Sequence, residues 1–142
     1  MSQENVEIVR ALQPSGVDFV VAFAGDQEAL AGLASSLADG FESVFVAESA
    51  PTRIVWSGID GFVAGWRDWL EPWERYELSA EKFIDAGDNV VVFAHVRGRT
   101  RRDGVEMDHA PAAVYTLRNG LVSRIEFYLD RDEALRSVGL KE

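Results

Sequence analysis

The chain has 142 residues (15.7 kDa), 47% of them hydrophobic and 11% aromatic, which is room for one domain (residues 1–142) with an ordinary core. Fourteen Lys and Arg against 24 Asp and Glu leave a net charge of -10, a field that repels nucleic-acid phosphates and anionic membranes. The absence of cysteine and the presence of only two histidines exclude disulfides, thiolate chemistry and His-rich metal centres, so neither a metal nor a cofactor is expected.

The acidic start lacks the basic region of a signal or transit peptide, and no apolar run approaches the roughly 20 residues of a membrane helix. A cytoplasmic protein is the expectation. Val6, Val9 and Leu12 recur at helical spacing after Ser2, until Pro14-Ser15-Gly16 stops the pattern. Val17 to Ala24 forms a second short apolar segment. Asp26 can cap a further helix striped by Leu30, Leu33, Ala34 and Leu37. Glu42 to Glu48 and Arg53 to Trp56 read as strands around the break at Pro51. From Asp60, one helical face collects Phe62, Trp66, Trp69, Leu70 and Trp73, with Pro72 ending or kinking it.

The period then becomes two. Leu78 to Ile84, Val90 to Thr100, Glu106 to Leu117 and Leu121 to Leu129 are predicted strands, joined at Asp103-Gly104 and Asn119-Gly120 by two-residue turns. Asp130 to Glu133 resembles a capping box for a last helix that ends at Gly139. Helices followed by an antiparallel meander predict an α+β domain.

Four stretches carry a family resemblance: MSQENVEIVR, GIDGFVAGWRDWLEPWERY, FIDAGDNVVVFAHVRGR and VYTLRNGLVSRIEFYLDRDEAL. Together they resemble the SnoaL-like polyketide cyclases of the nuclear transport factor 2-like superfamily. The resemblance implies a cone-shaped, curved antiparallel sheet wrapped by N-terminal helices. It also implies a ligand pocket between sheet and helices, and a homodimer through the outer face of the sheet. In SnoaL-type cyclases the last strand commonly carries His-x-Asp, with the Asp as acid/base. The corresponding positions here are Ile125 and Phe127, both apolar.

If both hairpins are regular, Val114 faces Ile125, Phe93 faces Val114, His95 faces Ala112 and Arg99 faces Asp108. One face then carries Phe93, His95, Arg97, Arg99, Asp108, Ala112, Val114, Ile125 and Phe127, and is the expected pocket floor. It would be net positive through Arg97 and Arg99. Tyr115, Glu126 and Tyr128 fall on the other face, the expected dimer surface. Pro111 suggests a bulge that would reassign Asp108.

The candidate catalytic residues on this reading are His95, as general base, and Asp108. His95 has a plainer alternative as a hydrogen-bonded residue within the sheet, and Arg97 as a solvated or paired cation. Asp108 and His109, as strand neighbours, point to opposite faces. The candidate ligand-binding residues are Trp56, Trp66, Trp69, Phe93, His95, Arg97, Ala112, Ile125 and Phe127. Three functions are open: a binder of a small hydrophobic or polycyclic molecule; a cofactor-independent isomerase, cyclase or dehydratase using acid/base chemistry on a polycyclic or enolisable substrate; and a dimeric interaction module whose cavity its own aromatic side chains fill.

Overall fold

A computed structural model describes residues 2–13, 15–24, 35–46 and 53–140. The elements run α1 (Ser2–Ala11), β1 (Ser15–Asp18), α2 (Phe19–Ala24), β2 (Leu37–Val46), β3 (Arg53–Ser57), α3 (Gly58–Leu70), β4 (Trp73–Ala86), β5 (Asn89–Thr100), β6 (Glu106–His109), β7 (Ala112–Arg118), β8 (Leu121–Tyr128) and α4 (Arg131–Ser137). The strands form one curved, unclosed sheet in the order β1-β4-β5-β7-β8-β2-β3, and β6 pairs with β5 beyond the end of β7.

Most elements lie where the patterns put them. The apolar segment at Val17 to Ala24 divides, because the Asp18 carboxylate accepts from the backbone N–H of Val20 and starts α2 there. The helix expected from Asp26 lies largely outside the described residues, and its last member, Leu37, is the first residue of β2. The break at Pro51 also lies outside them, as do Ala47 and Glu48 at the end of the strand expected there. Trp73 does not extend the helical stripe: α3 stops at Leu70, before Pro72, and Trp73 opens β4. β4 is twice the expected length. One strand pair is parallel rather than antiparallel, since β2 lies alongside β8 in the same direction.

Two layers cover the sheet. On the inner face α1, α2 and α3 pack Val6, Val9, Phe23, Phe62 and Trp66 against Val90, Val92, Val96, Tyr115 and Ile125. On the outer face α4 packs Ala134 and Leu135 against Val91, Phe93, Ala112, Val114 and Tyr128. The run Val90-Val91-Val92 is fully buried for that reason: its residues alternate between two covered faces. The Asp130 carboxylate caps α4 by accepting from the Asp132 N–H at 2.8 Å. At the other end Gly139 takes φ 78°, and the Leu140 N–H reaches the Leu135 carbonyl at 2.9 Å, a Schellman stop.

The register departs from the regular hairpins at two places. At Asn119-Gly120 the turn has two residues, both with positive φ (53° and 78°), and it pairs Arg118 with Leu121. One residue on, Ser123 bulges, so Thr116 pairs with Arg124 and Tyr115, not Val114, with Ile125. The other turn is a four-residue loop, Arg101 to Gly104, closed by the Thr100 N–H on the Val105 carbonyl at 2.9 Å. Phe93 therefore faces Ala112, and Arg97 faces Asp108. No bulge occurs at Pro111: its carbonyl accepts from the Ala94 N–H at 3.0 Å, and the register of β6 continues unchanged into β7.

Candidate functional site

Between the inner face and the helices lies a cavity of about 660 Å³. Its floor is built from alternate residues of three adjacent strands: Val92 and Ala94 on β5, Ala113 and Tyr115 on β7, Ile125 and Phe127 on β8. The two alanines leave the space that larger side chains would occupy. Rings from α2 and α3 form much of the wall, with Trp66 at its centre. That indole lies within 4.9 to 6.0 Å, centroid to centroid, of Phe19, Phe23, Phe45, Tyr76 and Phe127. Trp56 closes a side by packing onto Gly65, where an added Cβ would lie 2.8 Å from the indole. The exposed lining residues Ile54, Asp68 and Leu129 mark the mouth.

Polar groups are few. Gln13 donates from Nε2 to the Tyr115 hydroxyl at 2.9 Å and to the Val9 carbonyl at 3.1 Å. The Trp66 indole N–H is buried with no hydrogen-bond partner among the described residues. Burial pushes the Tyr76 phenol up to about 12, partly offset by a hydrogen bond with Trp69. Burial likewise raises Tyr115, opposed in part by Gln13. Both phenols are therefore neutral donors and acceptors at physiological pH.

This burial makes stability fall in alkali. An unfolded Tyr76 loses its proton near 10, whereas the folded one holds it to about 12, so between those values the native state binds more protons than the unfolded. The contribution is complete below pH 10 and lost as pH rises through that window, about 2–3 kcal/mol for a shift of this size. Urea midpoints measured across the window should drop, and in Tyr76→Phe the drop should be smaller.

Of the sequence-predicted residues, Trp56, Trp66, Trp69, Ile125 and Phe127 line the cavity, and Ala112 touches its wall while packing into the outer core. Phe93, His95 and Arg97 do not line it. They stand on the outer face, with Arg99 and Asp108, because the bulge at Ser123 puts Ile125 and Phe127 on the face opposite to theirs. Tyr115, expected on the outer face, is on the inner one by the same shift. The inner face is therefore not positive. On the outer surface His95 Nε2 lies 3.2 Å from Asp108 Oδ1, and Arg97 Nε lies 3.9 Å from the same oxygen, all three exposed. His109 points the other way, as expected, with its ring edge-on to Trp73 at 5.6 Å. Tyr76, Tyr115, Gln13 and Asp68 were not anticipated at the site. For Tyr115 the signal was present: Val122 and Ile125, three apart and both apolar, cannot share a face without a bulge between them.

Among the described residues no cluster of three or more His, Cys, Asp or Glu could hold a metal ion, and no helix is long and apolar enough to cross a membrane. A comparison with curated protein sequences finds no match. Solved structures do match. A protein described as a SnoaL-like polyketide cyclase, from Jannaschia sp. CCS1, is 23% identical, with a TM-score of 0.70 over 99% of this chain and 94% of its own. A nuclear transport factor 2-like protein of unknown function from Burkholderia pseudomallei is 21% identical, with a TM-score of 0.65 over 96% and 98%. TerC, co-crystallised with polyporic acid, is 20% identical, with a TM-score of 0.64 over 95% and 97%. Likeness at this identity establishes the common fold, and the sequence itself fits the profile of the SnoaL-like domain across residues 17–125. The chain thus belongs to the SnoaL-like domain family.

Proposed function

We propose that residues 1–142 act as one unit that binds a small hydrophobic or polycyclic molecule in the inner cavity, contacting it through Trp56, Trp66, Trp69, Ile125 and Phe127. The observation that carries this reading is the cavity itself, about 660 Å³ and overwhelmingly apolar in its lining, within the usual range for ligand sites. The co-crystal of TerC with polyporic acid, in a protein of the same fold, supports it. Acid/base catalysis through His95 and Asp108 has no such support, since the pair lies across the sheet from the cavity. The aromatic side chains leave the cavity open, which separates this reading from a module filled by its own core.

The test is calorimetric titration with naphthylmethanol, an uncharged fused-ring probe. Wild type should bind it, His95→Ala should bind it equally, and Ala113→Trp, which projects an indole from the centre of the floor, should weaken it at least tenfold. Absence of binding to wild type, or unchanged affinity in Ala113→Trp, overturns the reading.

The same proposal includes a cytoplasmic location and a homodimer through the part of the outer face that α4 leaves uncovered. That strip carries both signs of charge, Arg97 and Arg99 beside Asp108 and Glu74, and so offers a two-fold copy complementary contacts. A monomer mass by light scattering at micromolar concentration would contradict the dimer.

A further inference from the structure

We propose that the ligand is an apolar amine, bound as its ammonium ion, with its rings in the cavity and its charge at Asp68 in the mouth. This rests on the binding reading above and names the class of molecule that the cavity selects. Three observations carry it.

Among the described lining residues Asp68 is the sole charged group, and no Lys, Arg or His accompanies it. Its carboxylate is exposed and has no ion-pair partner among the described residues, so a ligand cation would meet it unopposed. The cation next in the chain is engaged elsewhere: Arg67 donates from Nε to the Phe23 carbonyl at 2.8 Å.

The second observation is the lining chemistry. Eleven of the described lining residues are aromatic, Trp56 and Trp69 among them, and the faces of such rings attract a cation and disfavour an anion. Asp68 and Trp69 are consecutive on α3, and both belong to the lining. The third is the net charge of -10, which draws cations toward the molecule and repels carboxylates before any contact forms.

Because Asp68 is exposed, water and salt weaken its pull, and the preference it confers is about tenfold at low ionic strength rather than several orders of magnitude. The polar groups deeper in the cavity, Gln13 and the neutral phenols, are uncharged and do not reverse that preference.

The experiment compares three probes that share a ring system and differ in charge: naphthylmethylamine, naphthylmethanol and naphthoate. Each is titrated calorimetrically into wild type and Asp68→Asn at neutral pH, in low and in high salt. The amine should bind about tenfold tighter than the alcohol, and the alcohol tighter than the acid. Asp68→Asn should remove most of the amine's advantage without changing the alcohol, leaving only the small share owed to the ring faces, and high salt should narrow the wild-type gap. If amine and alcohol bind alike, or if the amine keeps most of its advantage in Asp68→Asn, the amine proposal is overturned while the cavity reading stands. If none of the three binds, both fall together.

Discussion

Trp66→Ala is expected to destabilise the protein by about 3–5 kcal/mol, the range for removing a large buried aromatic side chain. The indole is 4% exposed and touches five other rings, so truncation removes both the transfer free energy and a set of edge and stacked contacts. The void would open into a cavity that already exists, which leaves the neighbours little reason to collapse inward. Trp66→Phe is the informative control. It retains a ring and deletes the unpartnered indole N–H, and so should lose distinctly less. Urea unfolding followed by circular dichroism gives both numbers. A loss under about 1 kcal/mol for Trp66→Ala would show that the aromatic cluster does not organise the inner layer.

Gly98→Val should cost about 2–3 kcal/mol for the opposite reason, overpacking. An added Cβ at Gly98 would lie 2.6 Å from Cζ3 and 2.8 Å from Cε3 of Trp73, on the neighbouring strand β4. Trp73 is buried and wedged between Tyr76 and His109, with ring centroids 5.3 and 5.6 Å away, so it has no free direction in which to move. The cost should be coupled to that indole. In a Trp73→Leu background, the same substitution at Gly98 should lose appreciably less stability than in wild type. Additive losses would place the strain elsewhere.

Much of the architecture was legible in the sequence because it rests on local rules. The helical stripe of α3, the period-two strands, the Asn-Gly turn and the capped, glycine-terminated α4 each follow from neighbouring residues. The partners of β2 were not legible, since β8 lies about eighty residues on and parallel pairing has no turn to announce it. The site was legible only in part. The family position of Ile125 and Phe127 led to the cavity floor, and Trp56, Trp66 and Trp69 also line the cavity.

His95 and Arg97 were carried to the wrong face by one residue, Ser123. Regular pairing through β8 would put Val122 and Ile125 on opposite faces, yet both are buried on the inner side. The bulge resolves that conflict, and the Ser123 hydroxyl donates to the Thr116 carbonyl at 3.2 Å across it. Its consequence for function is large, because it exchanges a floor bearing a histidine and two arginines for one bearing Tyr115, Ala113 and Ala94. The longer loop at Arg101 to Gly104 matters less. A shift of two residues preserves the faces and changes only which neighbours meet, bringing Asp108 beside His95 on the outer surface.

The central claim is that a ligand enters from the helix side and rests on the inner face of the sheet. Amide and indole chemical shifts recorded by NMR while naphthylmethanol is added test it most directly. The account predicts shifts concentrated at the Trp66 and Trp56 indole N–H groups and at the backbone of Ala94, Ala113 and Phe127, with His95, Arg97 and Asp108 unmoved. Shifts confined to the outer-face residues, with the indoles silent, would contradict it.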